Sequence, residues 1–325
     1  PLVFVVDDLQ WADASSLDLL DALILDREAL TLMLVGIYRS NEVDDTHVLT
    51  HFLNTLESRS CSQDLSLTRV AIDNLNIQDV QHVIQDLLRC DDSPRSLELA
   101  EICREKTHGN PFFLLRFVSM LQDRQLLQFN YGSLSWRWNS EAIMANARAC
   151  DNVVQLLLEQ MNMLPGYLLD LLKLASCLGS TFDYCYIRVG WTKASNDVPE
   201  GDGDQACLEA LDELSKGGFL IRVSTEQSTE QQRYTWVHDK VRETAIALIP
   251  ESERCMYMRE IGLNFLNALT GEKLDAIFFV VVDLLNFSPV NELDTDERQK
   301  LSNLNLIASK KAIKLSSFES AAKYA

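Results

Sequence analysis

Two apolar runs near the start of the chain constrain its fold more than any other feature. Residues 2–6 read LVFVV, residues 30–38 read LTLMLVGIY, and neither run contains a charge. Short runs rich in valine and leucine, without polar alternation, are expected of strands buried on both faces. Between them Leu17, Leu20, Leu23 and Ile24 fall on one helical face, with Ser15 placed to cap the helix and its end near Leu25. Strand, helix, strand at this spacing predicts a βαβ unit and therefore a parallel sheet. Residues 67–72 (LTRVAI) offer a third strand.

Beyond this the pattern turns helical. From Asn76, the residues Ile77, Val80, Val83, Ile84 and Leu87 share a face, and residues 97–127 read as two helices broken at His108, Gly109, Asn110 and Pro111. Residues 128–138 (QFNYGSLSWRW) predict a hairpin turning near Gly132, with Trp136 and Trp138 on one face and Arg137 on the other. Helices follow at 152–164, 165–178 and 206–216, the last ended by Gly217 and Gly218, and residues 191–205 read as a solvated loop. Strands at 219–223 and 234–237 enclose the polar loop STEQSTEQQ, and a helix runs over 238–248. Three helices, a β-wing and a closing helix outline a winged-helix domain. Residues 251–325 are helical throughout and suggest stacked hairpins without a fixed repeat. The fold class expected is α/β at the start and mostly α afterwards.

The net charge of -19 argues against general affinity for nucleic acid or anionic membrane surfaces. Eight cysteines stand singly, with no CxxC pair and no signal segment, as expected of reduced thiols in an intracellular, cytoplasmic protein. No apolar stretch reaches transmembrane length. The chain starts inside a strand and stops inside a helical pattern, which reads as a fragment.

The candidate chemistry sits at the strand ends. The first run stops at Asp7 and Asp8, and the second at Tyr38-Arg39-Ser40. Ligands of parallel sheets sit outside the C-terminal strand ends, so two acids there can hold Mg²⁺ on a nucleotide and polarise water, with Arg39 near the terminal phosphate. Equally, the acids can cap the following turn and Arg39 can pair with Glu42. Gly109-Asn110-Pro111 can be only an interhelix turn, His238 only a helix-start residue, and Trp11 a packing anchor. His47 and His51 share a helix face but lack a third metal ligand.

Four segments carry a family resemblance in order and spacing: VFVVDDLQWAD, GIYRSNEV, KTHGNPFFLLRF and YTWVHDKVRE. Together they resemble the signal-transduction ATPases with numerous domains (STAND), most closely the Orc1-like AAA ATPase module of hybrid proteins that also carry Ser/Thr-kinase-like, GAF and histidine-kinase domains. The resemblance runs over essentially the whole chain. It implies a partial P-loop NTPase sheet over 1–75, a helical lid over 76–150, a winged helix over 151–250 and the start of helical repeats over 251–325. Asp7 and Asp8 match its Walker B acids, with Asp7 toward Mg²⁺. Arg39 matches its sensor-1 arginine, and Gly109, Asn110 and Pro111 match its GxP motif, whose proline packs against adenine. His238 and Asp239 resemble its His-Asp motif, whose histidine can touch the β-phosphate of ADP; Val237 stands where methionine is common. The implied cofactors are ATP or ADP with Mg²⁺.

None of the 12 glycines opens a GxxxxGK[ST] loop, so nucleotide binding would require a Walker A segment upstream. The expected function is a nucleotide-dependent signalling switch, an ATPase in the intact protein, with partners among domains of the same polypeptide and proteins held by the helical repeats. The alternatives are a non-hydrolysing scaffold with a vestigial nucleotide fold, or the signalling core of a LuxR-type regulator.

Overall fold

The computed structural model describes residues 2–25, 32–60, 65–91, 93–147, 153–194, 203–223, 232–288 and 293–325. The chain divides into two units, Pro1–Ile72 and Asp73–Ala325.

In the first unit, β1 (Leu2–Val6) and β2 (Leu32–Gly36) pair in parallel, in register from Leu2 opposite Leu32 to Val6 opposite Gly36. Helix α1 (Ala14–Leu25) lies between them in sequence, as the βαβ pattern predicts. Its cap is Asp13 rather than Ser15: Asp13 Oδ1 accepts from the Ser16 amide at 2.8 Å. A carboxylate does this better than a hydroxyl because it also meets the positive end of the helix dipole. Helix α2 (Val48–Ser60) adds Leu49 to a small core with Leu9, Leu17 and Leu20.

Two expectations fail in this unit. Leu2, Val3, Phe4 and Val5 are exposed, so β1 is not covered on both faces. The two strands and two α-helices among the described residues provide too little cover for both faces of a sheet. Residues 67–72 form no strand, and Ile72 is 92% exposed. A strand exists only through a neighbour's ladder, and here β1 and β2 pair with each other alone among the described residues.

The second unit is predominantly helical. Helix α3 (Ile77–Leu88) opens with a reciprocal capping box between Asn76 and Asp79 and buries Val80, Ile84 and Leu88. Helix α4 (Pro94–Thr107) starts on Ser93, and α5 (Pro111–Asp123) follows after a left-handed turn at His108 and Gly109. The hairpin is β3 (Leu127–Asn130) with β4 (Ser135–Trp138); the Asn130 side chain accepts from the amides of Gly132 and Ser133. Trp136 and Trp138 pack on the core formed with Leu114, Phe117 and Ile143 of α6 (Ser140–Ala147), while Arg137 is exposed.

Helices α7 (Val153–Asn162) and α8 (Gly166–Cys177) lead to a short strand β5 (Thr181–Asp183) and to α9 (Tyr184–Ala194). Here the expected loop over 191–205 is wrong at both ends. Trp191 belongs to α9, is fully buried and donates from its indole to the Tyr167 carbonyl at 3.1 Å. Helix α10 (Gly203–Lys216) already begins at Gly203. Residues 195–202 lie outside the described residues. Strands β6 (Leu220–Arg222) and β7 (Arg233–Trp236) complete an antiparallel sheet of order β5-β7-β6, and α11 (Asp239–Ala247) follows. The polar loop between them, 224–231, lies outside the described residues.

Five more helices close the chain: α12 (Glu251–Ala268), α13 (Glu272–Ala276), α14 (Phe278–Asn286), α15 (Thr295–Lys314) and α16 (Phe318–Lys323). Phe265 of α12 and Val281 of α14 join the same core as α8, α9 and the sheet. Among the described residues, no helix is long and apolar enough to cross a membrane.

Candidate functional site

The strand ends of the first unit bring Asp8 and Arg39 to one edge. The ladder continues past both strands: Ile37 N donates to Val6 O at 2.9 Å and Leu9 N donates to Ile37 O at 3.0 Å. Gly36 makes room for this closure, since a Cβ there would lie 2.5 Å from Leu9 Cδ1. Asp8 sits in the left-handed region (φ 55°) and starts a short 3-10 turn over Leu9–Trp11. Its Oδ1 accepts from Gln10 Nε2 at 2.9 Å and lies 3.8 Å from Arg39 Nε. The Arg39 amide donates to Gln10 Oε1 at 3.2 Å, and the Arg39 guanidinium donates to Glu42 at 3.3 Å.

Both readings of Arg39 are thus present together: it pairs with Glu42 and faces the acid edge. Asp7 differs from Asp8. It is exposed, and its Oδ1 accepts the Asp8 amide at 2.9 Å. Gln10 has no role in the motif reading, yet it is buried and bridges Asp8 to the Arg39 backbone. A polar residue two positions after a strand-end acid was the available signal. An open cleft of about 450 Å³ adjoins the acids, walled by Phe4, Trp11, Leu19 and Leu23. Trp11, expected as a packing anchor, is 60% exposed on this wall. Its turn follows β1, whose exposed side chains have no layer over them among the described residues.

A second locus lies in the second unit. Gly109 has φ +76°, and a Cβ there would come 2.1 Å from the Leu75 carbonyl oxygen, so only glycine fits. Asn110 caps α5 by accepting from the Phe113 amide at 3.2 Å, and Pro111 takes the first helical position. His238 caps α11: its Nδ1 accepts from the Lys240 amide at 3.1 Å, so Nδ1 carries no proton in this arrangement. The two helix starts meet. Phe112 stacks on the His238 ring at 4.8 Å and 21°, and Phe113 lies 5.6 Å from it. The start of α5, just after Gly109, Asn110 and Pro111, thus meets His238 through Phe112 and Phe113, while each of the four serves its plain helix-start or turn role.

Other candidates have structural duties. His47 Nδ1 accepts from the Leu49 amide at 3.1 Å, at the start of α2. Burial pushes the thiols of Cys103 and Cys207 up to about 12 and that of Cys177 up to about 11, which keeps them protonated and poor nucleophiles. No group of three or more His, Cys, Asp or Glu side chains suited to a metal ion occurs among the described residues.

As a seat for a Mg²⁺-nucleotide, the residues present do not fit on their own. Asp8 is committed to Gln10 and Arg39, one exposed carboxylate remains at Asp7, and the 325 residues hold no glycine-rich phosphate cradle.

No family model matches the chain. Hybrid signal transduction histidine kinase G of Dictyostelium discoideum is 24% identical over 334 residues, an alignment that covers 86% of this chain and 9% of that protein. The chain thus spans under a tenth of the length of this curated relative, with which it shares a distant, partial homology.

Proposed function

We propose that this chain is an interaction and signal-relay module of a larger signalling polypeptide, a scaffold that passes on conformation without hydrolysing a nucleotide. The observation that carries this reading is the commitment of Asp8 to Gln10 and Arg39, which turns the acid edge into a structural clasp. The distant relationship to a signal transduction histidine kinase supports the signalling context. Its partners are other domains of the same polypeptide and proteins docking on the helices of 251–325, in a cytoplasmic setting.

The test is phosphate release from MgATP by the polypeptide that contains this segment, with and without Asp7→Ala. Equal release in both proteins is expected. Turnover that Asp7→Ala abolishes, at unchanged melting temperature, would overturn the scaffold reading.

That outcome would establish a second reading, the nucleotide switch of a STAND-type ATPase. It is favoured by one observation, the stacking of His238 on Phe112, the residue that follows Pro111 at the start of α5. In it, Asp7 and Asp8 would face the Mg²⁺ of ATP or ADP, Arg39 the terminal phosphate, Gly109 and Pro111 the adenine, and His238 the diphosphate. Residues 76–150 would act as the lid and 151–250 as a winged helix, a role consistent with the three-stranded antiparallel sheet. Residues 251–325 would begin a helical-repeat array. A phosphate-binding loop from elsewhere in a longer polypeptide is a condition of this reading.

A further inference from the structure

Arg116 lies one turn beyond the Phe112–His238 junction. It donates from Nη1 to the Gly217 carbonyl at 2.8 Å and from Nη2 to the Gly218 carbonyl, and its cation lies over the rings of Phe112 (5.7 Å) and Phe219 (5.2 Å). The two carbonyls belong to the end of α10, where the amides of Gly217, Gly218 and Phe219 fold back onto Glu213, Ser215 and Leu214. That leaves the glycine carbonyls as acceptors at the negative end of a helix dipole. Gly218 is fitted to this cation twice: its φ is +69°, and a Cβ would lie 2.9 Å from Arg116 Nη2.

Among the described residues no carboxylate forms a salt bridge with Arg116, so carbonyl oxygens and two aromatic faces hold it. Desolvation lowers its pKa, which means burial works against the cation and the contacts must offset that cost. One of those faces, Phe112, is itself held by the imidazole of His238. A change at the start of α11 that turns or frees the Phe112 ring therefore removes part of what retains Arg116 on α10.

We infer that His238, Phe112 and Arg116 form a coupling stack that transmits the state of the α11 start to the α10–β6 turn. The inference rests on the relay reading and supplies its mechanical element. A rival route exists, because the Val237 amide donates to the Phe219 carbonyl at 3.2 Å and could carry the same change through the sheet.

The test is hydrogen exchange in the 325-residue chain at the amides of Gly218 and Phe219. His238→Asn keeps a good helix cap while removing the ring, and should speed exchange there about tenfold. In an Arg116→Met background, where these amides already exchange fast, His238→Asn should add less than about twofold, because the stack is already broken. Phe112→Leu should reproduce His238→Asn, and Arg116→Lys, a point charge without the fork, should fall between wild type and Arg116→Met. Unchanged exchange in both His238→Asn and Phe112→Leu would overturn the inference. So would equal acceleration with and without Arg116, which would assign the signal to the Val237 route. If Arg116→Met fails to fold, the same comparison in the Arg116→Lys background decides. Amide exchange is independent of ATP turnover, so failure of the stack and failure of the scaffold reading are separately visible.

Discussion

The two units spend similar apolar sequence in opposite ways. In Pro1–Ile72 the most apolar segment, Leu2–Val5, is exposed, and the core is reduced to Leu9, Leu17, Leu20 and Leu49 with partly buried neighbours. In Asp73–Ala325 a continuous core runs from Leu157 through Trp191 and Phe265 to Leu285. The difference is one of layers. A helix pair or a short sheet buries a residue only when a second layer lies opposite. The second unit packs many helices around its core, and among the described residues the first has two strands and two α-helices. Stability is therefore expected to reside in the second unit, while the first keeps apolar surface available for contact.

Truncation is the strongest way to break this contrast. Phe265→Ala, at a fully buried site, should cost about 3–5 kcal/mol, and Phe4→Ala, at an exposed one, under about 0.5 kcal/mol. Denaturant midpoints of the two variants check it; equal losses would refute the contrast. Alkaline titration comes next. The thiols of Cys103, Cys177 and Cys207 all lie in the second unit and are raised from 9.0 to about 12, 11 and 12. A group whose folded pKa is raised contributes stability that is intact below its unfolded value. That stability is lost as pH rises toward the folded value. The second unit should hold its full stability below pH 9 and lose it progressively above, and Cys103→Ala should flatten the slope measured by chemical unfolding.

Backbone effects are smaller. Gly109→Ala combines a positive φ with a clash against Leu75 O, and should lower second-unit stability by about 1–3 kcal/mol in a thermal melt. Asn76→Ala removes half of a capping box and should cost about 1 kcal/mol, readable as faster amide exchange in the first turn of α3. The least effect is expected at the acid edge. Arg39 and Asp8 are each about a third exposed by side chain, at 36%, so Arg39→Met should change first-unit stability by under about 1 kcal/mol. A larger loss would mean that the clasp contributes to the first unit's own fold, sharpening the line between the units.

Local chemistry was readable where one residue type satisfies a need created within a few positions. The turn at Gly109 and Pro111, the hairpin around Gly132 and the α10 stop at Gly217 and Gly218 all follow from backbone rules. The βαβ pairing was equally legible, because uncharged β-branched runs have few other uses. Trp191 was misread because loop composition begins right after it, while what holds it is the Tyr167 carbonyl 24 residues away. Strand β5 was missed because three residues show no period, and its pairing partner lies some 50 positions on in β7. At the acid edge the sequence allows either Mg²⁺ on a nucleotide or a cap on the following turn. Gln10 and Arg39 showed that the chain answers part of it internally.

Sequence alone determined the opening strand-helix-strand and most of the later helices and the hairpin, where turns require glycine, and that two acids end the first strand. These depend on interactions within a few residues, which composition and spacing encode. Tertiary structure alone decided that Leu2–Val5 stay uncovered, that Asp8 and Gln10 meet Arg39, and that His238 stacks on Phe112. Each of these depends on a partner far along the chain, and no local pattern specifies which distant side chain, or whether any, will arrive.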